Sequence, residues 1–227
     1  MKTDHVQTLP GQGSTYADNA FRQVPGLAGL HRMTQLLLGE RVPGAGRVLV
    51  LGAGGGIELD VLASAHAEWT FDGVDPSDAM LDTARQVTRA HADRIRLHTG
   101  TIAVAPEGPF DAATCLLVFH FVPLAERLRT LRGLRQRLVT GAPLVLAHMS
   151  FPQDEASREV WMRRHAAFAV SNGVDPAHAE SGRRAMLERL HLMAPEDEEA
   201  MLAEAGFADI SLFYAGFDFR GWVAYAG

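Results

Sequence analysis

The chain has 227 residues, with 21 Lys and Arg against 27 Asp and Glu for a formal net charge of −6, and 47% of its residues are apolar. The acidic balance argues against a protein that coats nucleic acid, and the lone cysteine, Cys115, excludes an internal disulfide framework and any multi-cysteine zinc motif. No run approaches the roughly 18 apolar residues of a membrane span, and no basic-flanked apolar run opens the chain, so the expected setting is a reducing cytoplasm away from membranes.

In chain order, residues 1 to about 16 mix Gly, Gln, Thr and Pro without periodicity and read as a loose arm. From Tyr16 to Arg41 apolar residues at Leu27, Leu30, Met33, Leu36 and Leu37 recur at helical spacing, which predicts a helical cap closed by Pro43, Gly44 and Gly46. From Arg47 strand and helix alternate. RVLVL is a strand, IELDVLASAHA a helix, WTFDGVD a strand, SDAMLDTARQVTRAHA a helix and RIRLHTG a strand. FDAATCLLVFHF reads as a buried strand, LAERLRTLRGLRQRLV as an amphipathic helix with its charges opposite a leucine stripe, and APLVLAHMSF as a further strand. This alternation predicts an α/β, doubly wound, mainly parallel sheet whose strand C-termini form one ligand-binding rim.

After Phe151 the alternation stops. Residues 152 to about 205 read as helical, with breaks at SNGVDP and near Pro195, and GFADISLFYAGFDFRGWVAYAG reads as two strands joined at Ala215 and Gly216. With these two the sheet would be seven-stranded. Ten of the 17 aromatic residues fall in the last 77 residues, which suits either an apolar lid and pocket wall or additional core. The expected division is an arm and cap over 1–45, a cofactor-binding core over 46–150, a helical lid over 151–206 and a strand pair over 207–227, all within one domain.

The sharpest local feature is Gly52-Ala53-Gly54-Gly55-Gly56-Ile57, directly after a strand and directly before a helix. Glycines there permit a tight turn and close approach of a ligand, toward which free helix-start amides point. Glycine is absent from the sixth position, so a nicotinamide dinucleotide fingerprint is not met, and no Lys-Ser/Thr ending of a P-loop follows. Nineteen residues beyond Gly56 stands Asp75, where an acid can accept hydrogen bonds from both hydroxyls of a ribose or can serve as an acid at a helix start beside Pro76 and Ser77.

Together VLVLGAGGG, GVDPSDAM, HTGTI, FDAATCLLVFHFV and LAEAGF resemble, in order, the motifs of class I S-adenosylmethionine-dependent methyltransferases, and the resemblance covers nearly the whole chain from about Tyr16. VPGL, RRAMLERL, SNGVDP and LFYAGFDFRGWVAYAG are similar to the branch containing carboxy-S-adenosylmethionine synthase. The resemblance implies a Rossmann-like sheet with a helical N-terminal cap and a helical lid. It places the methionine end of S-adenosylmethionine against Gly52, Ala53, Gly54 and Gly56 and the ribose on Asp75 with Pro76 alongside. Adenine would lie between Met80 and the Thr101-Ile102 edge, and Leu116 beneath the methionine portion. Two departures weaken this cradle: Val50 stands where the family usually has an acid supporting the cofactor's amino group, and Thr101 where an Asp commonly receives the adenine amine. Met201 stands where the synthases have an arginine that holds their extra carboxylate, so ordinary S-adenosylmethionine is expected as cofactor. Leu27 in place of a tyrosine and Arg220 in place of a small residue imply a rebuilt acceptor pocket.

Methyl transfer from a sulfonium is an in-line displacement, in which orientation alone can supply on the order of 7–11 kcal/mol. A base is needed only for an acceptor with a proton to lose. The candidates are His120 and His148, at the rim ends of the fourth and fifth strands, and His165, in WMRRHAAFAV; each can equally be a packed histidine. Arg163, Arg164 or Arg220 could hold an acidic acceptor. No histidine pair has metal-ligand spacing, and no metal is expected. The sequence thus predicts a small-molecule methyltransferase without nucleic-acid or membrane partners, with a homodimer implied by the branch resemblance. A cofactor-binding protein without methyl transfer, or an enzyme using S-adenosylmethionine for another transformation, are the alternatives.

Overall fold

Apolar runs too short for a buried helix become strands in the computed structural model, which describes residues 19–227. The arm read over residues 1 to about 16 lies outside the described residues. The strands are β1 (Gly46–Leu51), β2 (Trp69–Asp75), β3 (Ile95–Thr99), β4 (Ala112–Leu116), β5 (Pro143–Met149), β6 (Phe207–Gly216) and β7 (Phe219–Ala226). They form one seven-stranded sheet in the order β3-β2-β1-β4-β5-β7-β6. The pairs β1–β2, β1–β4, β2–β3 and β4–β5 are parallel, whereas β7 runs antiparallel to both β5 and β6. The order reverses between β1 and β4, which puts the crevice of a doubly wound sheet at the C-terminal end of β1, where the glycine run begins.

Alternating strand residues feed two apolar layers. Val48, Val50, Leu116, Val145, Ala147, Met149 and Phe219 face one, together with helices α1 (Leu27–Gly39), α2 (Ile57–Ala65) and α3 (Asp78–Val87). Leu49, Leu51, Cys115, Leu144, Leu146 and Trp222 face the other, under α4 (Leu124–Arg137) and α7 (Pro195–Glu204). Trp69, Trp222, Phe71, Phe110, Phe119 and Phe151 are fully buried, each such side chain contributing about 1.5–3 kcal/mol by leaving water. The remaining helices, α5 (Glu155–Ser171) and α6 (Pro176–Arg189), form a hairpin over the first layer, to which they contribute Met162, Met186 and Leu187. SNGVDP separates them as its residues demand: Gly173 is left-handed at φ +86°, and Asp175 caps α6 by accepting the His178 N–H at 3.0 Å with Pro176 at the first helical position.

Four boundaries differ from the sequence reading. The cap helix does not run unbroken from the start of its periodic pattern, because Gly26 at φ +70° separates a helical turn at residues 19–23 from α1. The helix after β2 ends at Val87, where the Thr88 hydroxyl donates to the Ala84 carbonyl, and a 3₁₀ turn follows at Arg89–His91. β4 stops at Leu116. Leu117 is left-handed at φ +61°, and Phe119–Phe121 form a 3₁₀ turn that the aromatic run had disguised as strand. The C-terminal turn falls at Phe217-Asp218, not at Ala215 and Gly216, since Gly216 pairs with Phe219. Nor does α7 join the lid; it buries Leu202 on the opposite face of the sheet.

The arginines of α4 are not all opposite its leucines. Arg127 is fully buried, donates to the Phe119 carbonyl at 2.8 Å and to the carbonyls of Val122 and His191, and pairs with the buried Glu198 of α7. His148 Nε2 lies 3.5 Å from the same carboxylate. Burial opposes the charge on Glu198, yet His148 and Arg127 outweigh it and hold the carboxyl below its ordinary range. Removing one member of such a pair strands the other without water. Glu198→Ala should therefore cost about 3–5 kcal/mol in urea denaturation, and the double change Arg127→Met with Glu198→Leu should cost clearly less.

Candidate functional site

Three of the five residues Gly52–Gly56 require a left-handed backbone: φ is +83° at Gly52, +49° at Gly54 and +84° at Gly56. A Cβ on Gly52 would lie 1.9 Å from Val118 Cγ2, and one on Gly56 would lie 2.8 Å from the Ala84 Cα of α3, so neither position has room for a side chain. The Gly52 and Ala53 N–H groups donate to the Val74 carbonyl at 2.7 and 3.0 Å, which folds the loop onto the end of β2. There the Asp75 carboxylate accepts the Gly54 N–H at 2.9 Å on one oxygen and the Ser77 N–H at 2.9 Å on the other. Burial raises its pKa, and these two N–H groups work against that rise. Each oxygen keeps a lone pair for a further donor.

The other residues implied by the family resemblance gather at the same rim with differing exposure. Gly100 donates its N–H to the Asp75 carbonyl at 3.0 Å, which sets the exposed Thr101 beside the acid. Ile102 turns inward, and a Cβ on Gly133 of α4 would lie 2.8 Å from its side chain. Pro76 is exposed and Met80, on α3, half-buried. Leu116 is buried on the cap side of the sheet. A separate cavity of about 340 Å³, lined by Arg47, Asp72, Arg94 and Arg96, lies at the opposite rim, where β1, β2 and β3 begin.

The three candidate bases separate. His148 is fully buried beneath α4 and α7, with Nδ1 3.0 Å from the Met149 carbonyl and Nε2 toward Glu198, so it belongs to the buried ion-pair network rather than to the rim. His120 lies in the 3₁₀ turn after β4, and its Nδ1 accepts the Met149 N–H at 3.3 Å, leaving the proton on Nε2. Burial, followed by His148, Arg127 and His165, pushes its pKa well below the ordinary value, so it is neutral and a poor proton acceptor. His165, on α5, is 4% exposed, and its Nδ1 lies 3.0 Å from Oδ2 of the buried Asp218 in the β6–β7 turn. Of the arginines, Arg163 is exposed and pairs with Glu159, Arg164 stacks on Trp161 and Arg220 donates to the Phe217 and Phe219 carbonyls. Among the described residues no group of three or more His, Cys, Asp or Glu is arranged to hold a metal ion, and no helix is long and apolar enough to cross a membrane.

Two acids escaped the sequence reading. Asp218 had no motif to mark it. Glu58 had a signal, since it precedes Leu62 by one helical turn on the inward stripe of α2. It is 8% exposed beside Thr114 of β4, and burial raises its carboxyl from an ordinary 4.5 to about 7.

The family model described as a methyltransferase domain matches residues 49–144. The chain is 26% identical over 213 residues to the carboxy-S-adenosyl-L-methionine synthase of Dichelobacter nodosus, covering 93% of this chain and 88% of that one. Identity to the synthase of Marinobacter nauticus is 25%, covering 92% and 85%. An O-methyltransferase family 2 protein from Planctomyces limnophilus shares the fold with a TM-score of 0.66 at 16% identity, covering 96% of this chain and 62% of that chain. Human N-acetylserotonin methyltransferase, solved with S-adenosylmethionine, gives 0.58 at 16% identity, covering 80% and 47%. The chain thus spans less than two thirds of the length of these two solved structures, and their likeness bears on the fold.

The raised carboxyl of Glu58 sets a pH dependence. Below pH 4.5 both folded and unfolded chains keep this proton; between 4.5 and about 7 only the unfolded chain loses it, so stability falls; above about 7 the loss is constant. Glu58→Gln should therefore leave stability nearly unchanged at pH 4 and raise it by up to about 3 kcal/mol at pH 8, read by denaturant unfolding at both values. The glycine turn clamped to Asp75 thus lies at the switch point of a 3-2-1-4-5-7-6 sheet and within the residues matched by the methyltransferase-domain model, and the chain is similar to the synthases along nearly its whole length.

Proposed function

We propose that the protein transfers the methyl group of S-adenosylmethionine to a small-molecule acceptor held on the cap side of the sheet. The observation that carries this reading is the closure over that face. The Tyr214 hydroxyl donates to the Pro25 carbonyl, the Asn172 side-chain amide donates to the Arg22 carbonyl at 3.1 Å, and Phe168 of the lid meets Phe217 edge to face at 5.7 Å. The cap, lid and C-terminal hairpin are thereby tied to one another. A face crossed by such ties suits a compact acceptor better than a polymer.

In this reading Gly52, Ala53, Gly54 and Gly56 admit the methionine end of the cofactor, and Asp75, flanked by Pro76, accepts the ribose hydroxyls. Met80 and the Thr101-Ile102 edge flank adenine, and Leu116 supports the methionine portion from below. The cofactor supplies an electrophilic methyl on sulfonium. What the chain supplies is alignment, exclusion of water and, for an acceptor bearing a proton, a base. His165 suits that last role best: Asp218 beside Nδ1 favours a proton there and leaves Nε2, which has no partner, to accept one. His120 offers a donor instead, and His148 a packed support. The carboxy-cofactor chemistry named for the curated relatives is not favoured, because Met201 is uncharged and packs into the layer under α4.

Calorimetric titration with S-adenosylmethionine and S-adenosylhomocysteine tests the cofactor assignment, and absence of binding to the intact protein would sink it. Asp75→Ala should weaken both by tenfold or more, since a hydrogen bond to a charged group contributes about 1.5–3 kcal/mol. With isotopically labelled cofactor and a panel of small hydroxyl and amine acceptors, His165→Ala should lower kcat by roughly 10²–10⁴ for a proton-bearing acceptor, while leaving the affinity for S-adenosylhomocysteine unchanged.

A further inference from the structure

Three buried side-chain oxygens, Thr34 Oγ1 of α1, Glu58 Oε1 of α2 and Thr114 Oγ1 of β4, have no hydrogen-bond partner. All belong to elements of the layer that meets the cap face. Buried polar groups are ordinarily satisfied, and a carboxyl left with a bare oxygen in an apolar layer is costly enough to need a reason. Glu58 is the second residue of α2, two positions beyond Gly56, and Thr114 pairs in register with Val50, two residues before Gly52. Glu58, which lies beside Thr114, and Thr114 itself therefore share one buried corner between the strand that enters the glycine turn and the helix that leaves it, where Val50 offers no charge.

We propose that Glu58 is the binding residue for the ammonium group at the amino-acid end of S-adenosylmethionine, and that Thr114 shares in holding the carboxylate toward it. This deepens the proposed seating of the cofactor and rests on it. The amino-acid end carries both signs. The free amides at the start of α2 suit its carboxylate, and an acid is then required for the ammonium, or the positive group would be desolvated without a partner. Glu58 is the carboxylate beside the turn that remains uncommitted, since Asp75 is engaged by Gly54 and Ser77. A residue that burdens the empty protein and improves binding is what a preorganised site contains.

The test is calorimetric binding of S-adenosylhomocysteine and of methylthioadenosine, which keeps the nucleoside and lacks the amino-acid end, to the wild type and to Glu58→Gln. The expected result is a loss of about tenfold or more for S-adenosylhomocysteine in the variant, with methylthioadenosine unchanged and the unfolding temperature kept or raised. Equal or tighter binding of S-adenosylhomocysteine by Glu58→Gln overturns the proposal. Equal weakening of both ligands overturns it too, since that would mark a residue that only shapes the turn. Should the variant not fold, the wild type is titrated with a desamino analogue of S-adenosylhomocysteine. A comparable loss then supports the ammonium contact, and equal affinity refutes it. Failure of the wild type to bind either nucleoside would be failure of the cofactor seating itself, and is distinguishable from every result above.

Discussion

Two backbone N–H groups converge on one carboxylate: Gly54 from the turn after β1 and Ser77 from the start of α3 both donate to Asp75. That clamp fixes how the first strand of the core may leave the sheet, because the chain must make a left-handed turn three times in five residues to present the Gly54 amide there. The absence of side chains at Gly52 and Gly56 then admits Val118 from one side and the backbone of α3 from the other. Binding geometry and packing geometry are in this way one constraint. A substitution that adds a methyl group to the turn moves the rim turn after β4 or the helix after β2, and with them the positions that would flank a ligand.

Buried polar groups occur on both faces of the sheet. The layer under α4 and α7 gathers Arg127, Glu198 and His148 with four carbonyl groups, although Glu198 Oε2 and His148 Nε2 are left without a hydrogen bond. The cap side likewise holds atoms without a hydrogen bond, at Thr34, Glu58, Thr114 and His165. A buried polar group without a partner is costly in either layer. The three candidate histidines, all buried, are therefore told apart by what they touch: His148 meets the Arg127–Glu198 pair, His120 the Met149 N–H and His165 the Asp218 carboxylate.

Much of this was legible in the chain. The sheet and its rim followed from the alternation of short apolar runs with helical ones, and the glycine turn and Asp75 announced themselves by position. What was not legible depended on contacts distant in sequence. Nothing in LLVFHF shows that Leu117 turns left-handed to bring Val118 over Gly52, since an apolar aromatic run reads equally as strand. Arg127 looked like one more solvated charge because its acid lies 71 residues away on α7. Asp218 acquires meaning only from a histidine on a lid helix more than fifty residues earlier. Glu58 did carry a local signal, since the helical period places it on the inward stripe of α2, one turn before Leu62.

The position of β7 has a consequence for how the molecule is made. Although it follows β6 in the chain, it lies between β5 and β6 and supplies the antiparallel partner of both. A nascent chain that has reached β6 thus still exposes the apolar edge of β5, and α7 has no Trp222 beneath it. Only when β7 slots in do Trp222 and Phe219 fill the two layers, and only then does Asp218, in the turn just before it, come to rest beside His165. Completion of the core and assembly of the His165–Asp218 pair are therefore one late event, so that a chain halted before β7 would carry an intact glycine turn and an unfinished cap side.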